Sequence, residues 1–175
     1  WKVGGARAAK GGSLDDVIAS AQNVVNRTKS ICVGLEPCVI PALGHSNFKI
    51  EDGTMEFGVG HHGEAGTKVE KLKSASEMAQ EMAETILNDF DFEEGKEVAV
   101  MLSSLGATPV MELYVLYDEV EKVLAKAGHK VWKTYIGNYV TSLDMNGASL
   151  TIVDLDDEIK ELLSEPAVPI GMKNY

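Results

Sequence analysis

The sequence predicts an α/β fold, a two-layer domain in which helices pack on a mixed β-sheet. Short apolar segments of strand length alternate with longer segments whose apolar residues repeat at helical spacing. Several of the helical segments begin with residues that commonly cap a helix. The chain of 175 residues is 45% hydrophobic, which is enough to bury a sizeable core.

The amino-terminal segments are predicted to be helical. Residues 3–10 have the pattern of the end of a helix, which Gly11 and Gly12 terminate. A second helix is expected from Leu14 to about Asn26, with Ser13 as its N-cap. Because the first residues already have a helical pattern, we expect an amino-terminal piece to precede this chain.

The middle of the chain predicts two strands and a capped helix. Strands are expected at residues 31–35 and 55–59, on either side of a loop over residues 37–52. The next helix begins after Ser74, and Glu77 lies three residues further on, which is the spacing of a capping box.

The last third of the chain repeats the alternation. A buried strand is predicted at residues 97–102, followed by a long helix with Thr108 as its N-cap and Pro109 at its first position. Gly128 ends that helix. The remaining predicted elements are strands at residues 130–136 and 148–153 and a helix capped by Asp156.

The composition disfavours several classes of function. Sixteen basic and 27 acidic residues give a formal charge of −11, which disfavours binding to nucleic acid or to an anionic membrane surface. No apolar run reaches the length of a membrane span, and the first residues lack the apolar core of a signal peptide. Cys32 and Cys38 are expected to be free thiols in a reducing cytoplasm.

A glycine-rich segment with two histidines follows the strand at residues 55–59. Residues 58–63 match the dinucleotide-binding pattern G-x-G-x-x-G, but no helix is predicted to open at the third glycine, so we do not expect a nucleotide there. Adjacent histidines on an extended chain point to opposite faces, so His61 and His62 are not expected to share a metal ion. We predict no metal site.

A third interpretation of this segment is covalent catalysis. A neutral imidazole is a nucleophile and a small ketone is an electrophile, and flanking glycines allow the backbone to approach a ligand closely. The alternative is a surface loop whose histidines are simply solvated. From residue chemistry by itself, the solvated loop is the favoured interpretation.

Several motifs, taken in order, resemble the substrate-binding subunit of dihydroxyacetone kinases. The segment from Glu56 to Gly66 is similar to the family segment in which a histidine binds dihydroxyacetone covalently. Similar motifs are Ser13-Leu-Asp, Cys38 with Pro41, Leu105-Gly-Ala-Thr-Pro109 with Glu112-Leu-Tyr, Gly137-Asn-Tyr, Thr141-Ser-Leu-Asp-Met145 with Gly147, and Ser149-Leu-Thr151. The resemblance covers essentially the whole chain and implies the carboxy-terminal half of the dihydroxyacetone-binding domain.

The resemblance implies that His62 attacks the ketone and holds it as a hemiaminal. It also implies that the ketose is contacted by Gly60, Gly63, Glu64 and Thr108. Thr141, Ser142 and Asp144 are expected to be neighbours of the pocket. No cofactor is expected on this chain, since ATP or ADP with magnesium would be held by a separate nucleotide-binding subunit or domain.

The resemblance also implies a domain organisation and partners. Residues 1–30 would be a helical remnant of an amino-terminal domain, and residues 31–175 would form the domain that carries the histidine. The missing amino-terminal half, the kinase subunit and further copies of the chain in a homo-oligomer are the expected protein partners, in the cytoplasm.

Two positions depart from the family pattern. The family usually has proline where Ala65 stands and asparagine where Ser104 stands. These differences leave open an erythrulose-type ketose kinase or a non-catalytic sensor that binds dihydroxyacetone and acts as coactivator of a transcription regulator. A generic α/β interaction domain with inert histidines is the third hypothesis.

Overall fold

A computed structural model describes residues 1–46, 48–60, 64–89 and 95–172. The chain forms two compact units. One consists of Trp1–Thr28 together with Val153–Tyr175, and the other is Lys29–Ile152. The domain boundary predicted after residue 30 stays a prediction.

Six strands form a single sheet in the part of the chain that the structure describes. They are Thr28–Glu36 (β1), Thr54–Phe57 (β2), Lys68–Lys71 (β3), Glu97–Ser104 (β4), Lys130–Gly137 (β5) and Asn146–Asp154 (β6). Their order across the sheet is β3-β2-β1-β6-β4-β5. β2 is antiparallel to both β1 and β3, whereas β4 and β5 are parallel, so the predicted mixed sheet is confirmed.

The helices are Lys2–Ala9 (α1), Leu14–Asn26 (α2), Ala75–Asn88 (α3), Val110–Lys126 (α4) and Asp157–Ser164 (α5). The predicted caps of α2, α3 and α5 are confirmed: Ser13 and Ser74 form capping boxes with the residues three positions on, and the Asp156 carboxylate accepts the N–H of Ile159. None of these helices is long and apolar enough to cross a bilayer.

The core of the larger unit lies between the sheet and the helices α3 and α4, which gives the predicted two-layer arrangement. The buried side chains of α3 and α4 pack against alternate residues of the strands. The strand residues in this core are Val33, Met55, Phe57, Val98, Val100, Leu102, Ala148, Leu150 and Ile152. The helix residues are Ala79, Met82, Ala83, Ile86, Leu113, Leu116, Val120 and Leu124.

The smaller unit is held together by polar contacts between its two chain segments. Ser20 Oγ donates to the Glu158 carboxylate at 2.6 Å, and Asn23 Nδ2 donates to Asp156 at 2.8 Å. Burial alone would raise the pKa of Asp156, but the hydrogen bonds from Asn23 and from the Ile159 N–H lower that pKa below its ordinary value. The charged form of Asp156 is therefore favoured in this unit.

The strand β3 is the element that the sequence did not predict. Residues 64–73 carry no apolar alternation, and Val69 in β3 is 65% exposed, so burial does not account for the strand. It lies at the edge of the sheet and is held by its ladder with β2. Lys68 and Lys73 also form ion pairs with Glu81 of α3.

We predict that Leu150→Ala destabilises the larger unit strongly. Leu150 is 0% exposed in the centre of the sheet, so its removal loses apolar burial and leaves a cavity. The free energy of unfolding should fall by about 2–5 kcal/mol, measured by chemical denaturation. Leu43→Ala is the matched control, because Leu43 is 57% exposed, and it should change stability by about 0.5 kcal/mol or less. Equal losses in the two variants would contradict this core.

Candidate functional site

Four loops meet in a small apolar cluster, here called the loop cluster. It consists of Cys38 after β1, Val59 after β2, Leu105 after β4 and Met145 before β6, and each of these residues is buried. The cluster therefore joins the histidine segment, which begins directly after Val59, to the loops that carry the other motifs.

The loop cluster packs on the face of the sheet opposite to α3 and α4. A Cβ on Gly34 in β1 would lie 3.1 Å from both the Val59 Cγ1 and the Met145 Cε atoms. Its neighbour Val33 belongs to the main core. Since successive residues of a strand face opposite sides, the cluster covers the second face, and a glycine at position 34 is what lets the loops approach so closely.

The histidine segment is joined at its base to the strands that flank it. The N–H of Gly58 donates to the Cys32 carbonyl at 2.7 Å, and the N–H of Thr67 donates to the Phe57 carbonyl at 2.8 Å. These bonds continue the sheet by one residue beyond the ends of β2 and β3. The residues after the histidines therefore lead into a strand and not into a helix.

One side chain also holds this base. The Glu56 carboxylate accepts the N–H of Gly66 at 2.5 Å. A Cβ on Gly66 would lie 2.4 Å from the Phe57 carbonyl oxygen, a distance that real Cβ atoms do not reach. Position 66 therefore requires glycine for close approach of the two chain segments.

The residues on either side of the histidines are joined to each other. The N–H of Gly60 donates to the Glu64 carbonyl at 3.0 Å. The Glu64 side chain crosses over Gly60, because a Cβ there would lie 2.1 Å from Glu64 Oε2. His61, His62 and Gly63 lie outside the described residues, so the roles predicted for His62 and Gly63 stay predictions.

Thr108 does not cap α4, and that expectation was wrong. The N-cap is Pro109, with no side-chain hydrogen bond. The buried Thr108 hydroxyl instead accepts the N–H of Gly147 at 2.8 Å and lies 2.7 Å from both the Gly147 carbonyl and Asn146 Oδ1. The Thr108 hydroxyl thus has several partners in β6, more than the end of a helix would provide. These bonds fix the start of that strand.

Thr108 also borders an apolar cavity on the α3 and α4 side of the sheet. The cavity has a volume of about 190 Å³. Its lining is Val33, Leu35, Ala75, Met78, Thr108, Glu112, Leu113, Val115, Leu116, Gly147 and Ala148. A polyhydroxylated ketone needs several hydrogen bonds, which this lining does not provide, so the cavity is a poor match for the ketose implied by the sequence.

The predicted neighbours Ser142 and Asp144 lie beside the loop cluster. Asp144 Oδ1 accepts the N–H of Val39 at 2.7 Å, which ties the loop after β1 to the loop before β6. Ser142 Oγ donates to the sulfur of Cys38 at 4.0 Å, and its N–H donates to the Leu105 carbonyl at 2.6 Å. Thr141 is exposed at the surface.

Two serines whose hydrogen bonds were not predicted from the sequence organise the end of β4. Ser103 Oγ accepts the N–H groups of Tyr139 and Val140, both at 3.0 Å, and Ser104 Oγ accepts the N–H of Gly106 at 2.9 Å. Both serines are buried. The position of two serines at the end of an otherwise apolar strand is the sequence feature that could have predicted these bonds.

The two cysteines are free thiols, as predicted. Burial raises the pKa of the Cys32 thiol, and a hydrogen bond with Ser149 opposes that rise only in part. Cys32 packs against the loop cluster that contains Cys38. A thiol with a raised pKa is mostly protonated at neutral pH, so Cys32 is not an activated nucleophile.

Comparison with known proteins places this geometry in a family. A family model described as the Dak1 domain matches residues 1–170. The chain is 40% identical over 157 residues to the PTS-dependent dihydroxyacetone kinase 1, dihydroxyacetone-binding subunit DhaK of Listeria innocua, covering 90% of this chain and 48% of that protein. It is 34% identical to a D-erythrulose kinase of Mycolicibacterium smegmatis, covering 95% of this chain and 29% of that protein.

A solved structure shows the same fold. The dihydroxyacetone kinase operon co-activator Dha-DhaQ superposes with a TM-score of 0.88 at 30% identity, covering 94% of this chain and 51% of the other. The chain therefore spans about half the length of that co-activator and of the DhaK subunit, and less than a third of the erythrulose kinase.

We predict that Gly66→Ala opens the base of the histidine segment. The added methyl group would collide with the Phe57 carbonyl, and relief of the clash should cost about 1–3 kcal/mol of unfolding free energy. Hydrogen exchange should show faster exchange of the Thr67 amide. Gly5→Ala is the control, since nothing lies within 4 Å of a Cβ in that helical position, and it should be neutral or slightly stabilising. Unchanged protection of Thr67 would contradict the close approach.

Proposed function

Because the chain belongs to the Dak1 domain family, we propose that it binds dihydroxyacetone, or a similar small ketose, covalently on His62. The observation that carries the proposal is the 40% identity, over 90% of this chain, with a subunit named for binding dihydroxyacetone. Within the matched residues, the segment from Glu56 to Gly66 resembles the family pattern around the histidine, with Ala65 as a departure from it.

The proposed step is the addition of an imidazole to a ketone. The lone pair of one ring nitrogen of neutral His62 forms a bond to the carbonyl carbon, and the carbon–oxygen π bond breaks. The other ring nitrogen releases its proton, and the carbonyl oxygen becomes a hydroxyl. The product is a hemiaminal, formed without loss of water. Glycerol has no carbonyl group and cannot form it, so the step selects ketoses over polyols.

The described residues around the segment fit this role. Gly60 and Glu64 are joined on either side of the histidine pair, and Glu64 brings a carboxylate over Gly60. Together with Gly63 they are the proposed contacts of the ketose. Thr108 is the fourth predicted contact, but it borders the apolar cavity on the α3 and α4 side and its hydroxyl is bonded to Gly147, so its contact with the ketose stays a prediction.

We propose that the phosphoryl donor is bound elsewhere. In the described residues, the chain after the glycine-rich segment enters β3, so it offers no helix N-terminus for a nucleotide phosphate. A terminal hydroxyl of the bound ketose would take its phosphoryl group from a nucleotide on a separate subunit or domain, where ATP or ADP with magnesium is the expected cofactor. A fixed orientation of the ketose contributes to such a transfer through positioning.

Two specific observations support alternatives. The 34% identity with a D-erythrulose kinase favours a four-carbon ketose. The TM-score of 0.88 with an operon co-activator favours a sensor that binds dihydroxyacetone and phosphorylates nothing. Formation of the ketose phosphate distinguishes the kinase from the sensor. A kinase subunit mixed with its nucleotide-binding subunit converts the bound ketose to its phosphate, and a sensor does not.

We predict that the chain gains the mass of one intact dihydroxyacetone molecule in native mass spectrometry. A mass lower by one water would indicate an imine on a primary amine, such as a lysine, and not a hemiaminal on an imidazole. His62→Ala should abolish the adduct, whereas His61→Ala, the adjacent matched control, should retain it. Adduct formation should decline in acid, because a protonated imidazole has no lone pair for attack. An adduct that survives in His62→Ala would contradict the assignment.

We predict that the chain alone neither binds MgATP at micromolar concentration nor hydrolyses it. Isothermal titration calorimetry and a phosphate-release assay, each with and without dihydroxyacetone, measure the two properties. The control for a folded protein is the adduct in the same preparation. Micromolar binding of MgATP would show that the glycine-rich segment or another surface holds a nucleotide after all.

A further inference from the structure

We infer that Glu56 is a positioning residue for the substrate histidine, acting through its carboxylate on the backbone of Gly66. The inference rests on the proposed function, since it concerns how the loop presents His62 to a ketose. Glu56 is not proposed to touch the ketose itself.

Glu56 lies on the same face of the sheet as the loop cluster. Its neighbours Met55 and Phe57 are buried in the main core, and side chains alternate along a strand. Glu56 is paired directly with Gly34 in the ladder between β1 and β2, and Gly34 is the residue over which the loop cluster packs. The carboxylate is therefore on the side where the loops meet.

The Glu56 bond marks the point at which the loop leaves the sheet. The ladder between β2 and β3 pairs Glu56 with Val69 and Phe57 with Lys68. If it continued in the same register, the N–H of Gly66 would lie opposite Val59. Instead, Val59 is buried in the loop cluster, and the Gly66 N–H is taken by the Glu56 carboxylate at 2.5 Å. Beyond these anchors, the two sides of the loop are joined again by the bond from the Gly60 N–H to the Glu64 carbonyl.

The two anchors are different in kind. Val59 is held by apolar packing, which constrains position but is not directional. The bond from Gly66 to a carboxylate is charge-assisted and directional, and such bonds are stronger than neutral ones. It fixes the orientation of the peptide unit between Ala65 and Gly66, where the chain comes back from the histidines toward β3. The orientation of the histidine segment should therefore depend on Glu56.

The test compares Glu56→Ala and Glu56→Gln with the unaltered chain. The dihydroxyacetone concentration that gives half-maximal adduct is measured by intact-protein mass spectrometry, and exchange of the Gly66 amide is measured by NMR. Glu56→Ala removes the acceptor, so we expect the half-maximal concentration to rise about tenfold or more, with faster Gly66 exchange. Glu56→Gln keeps a side-chain carbonyl acceptor and should restore most of the binding.

Glu70→Gln is the matched control. Glu70 lies in the same ladder, one residue beyond Val69, and forms an ion pair with Lys73 at 2.7 Å. Its loss should lower thermal stability without changing the half-maximal concentration. With that result, a loss of stability would not account for the expected effect of Glu56→Ala.

The outcomes separate the two proposals. If the unaltered chain forms the adduct and Glu56→Ala forms it equally well, the positioning role is wrong and the proposed function stands. An equal loss in Glu56→Ala and Glu70→Gln also overturns the inference, because the effect would be one of stability. If the unaltered chain forms no adduct at any concentration, the proposed function fails, and the inference about the histidine fails with it.

Discussion

The candidate site depends on the close packing of four loops over Gly34. A Cβ at that position would meet the side chains of Val59, Met145 and Ile50 at 3.1–3.2 Å, closer than ordinary van der Waals contact. Because these loops come from distant parts of the sequence, local propensity cannot bring them together. The burial of Val59, Leu105, Met145 and Cys38 does so, and it leaves the histidine segment attached directly to a buried residue.

Backbone N–H groups in these loops need acceptors, since a buried donor without one is costly. The loops supply them with single side chains placed at strand ends. Ser103 accepts two N–H groups of the loop after β5, Thr108 accepts that of Gly147, Asp144 accepts that of Val39, and Glu56 accepts that of Gly66. Apolar packing sets where the loops lie, and these bonds set how their peptide units are turned.

The sequence predicted the elements whose signals are local. The capping boxes at Ser13 and Ser74 and the cap at Asp156 appear as expected. It did not predict β3, because an exposed edge strand has no apolar alternation and is specified by its partner strand and by ion pairs with α3.

Thr108 was predicted to cap α4 because it directly precedes Pro109. Its actual partners are in β6, 38 and 39 residues away. The motif around His62 could be recognised from its residues, but the role of Glu56 could not, since it depends on a bond across ten residues.

The two departures from the family pattern, Ala65 and Ser104, lie next to residues that hold the loops in place. Ala65 lies between Glu64, whose side chain crosses Gly60, and Gly66, which Glu56 holds. A proline at 65 would restrict the backbone there. Because proline is absent, the position of the loop depends more on the Glu56 bond.

Ser104 is buried, and its hydroxyl accepts the N–H of Gly106. An asparagine could accept that bond and still present a free N–H₂, whereas the serine hydroxyl is shorter and turned toward the backbone. The chain therefore lacks, at the end of β4, the side-chain amide donor that the family pattern has there.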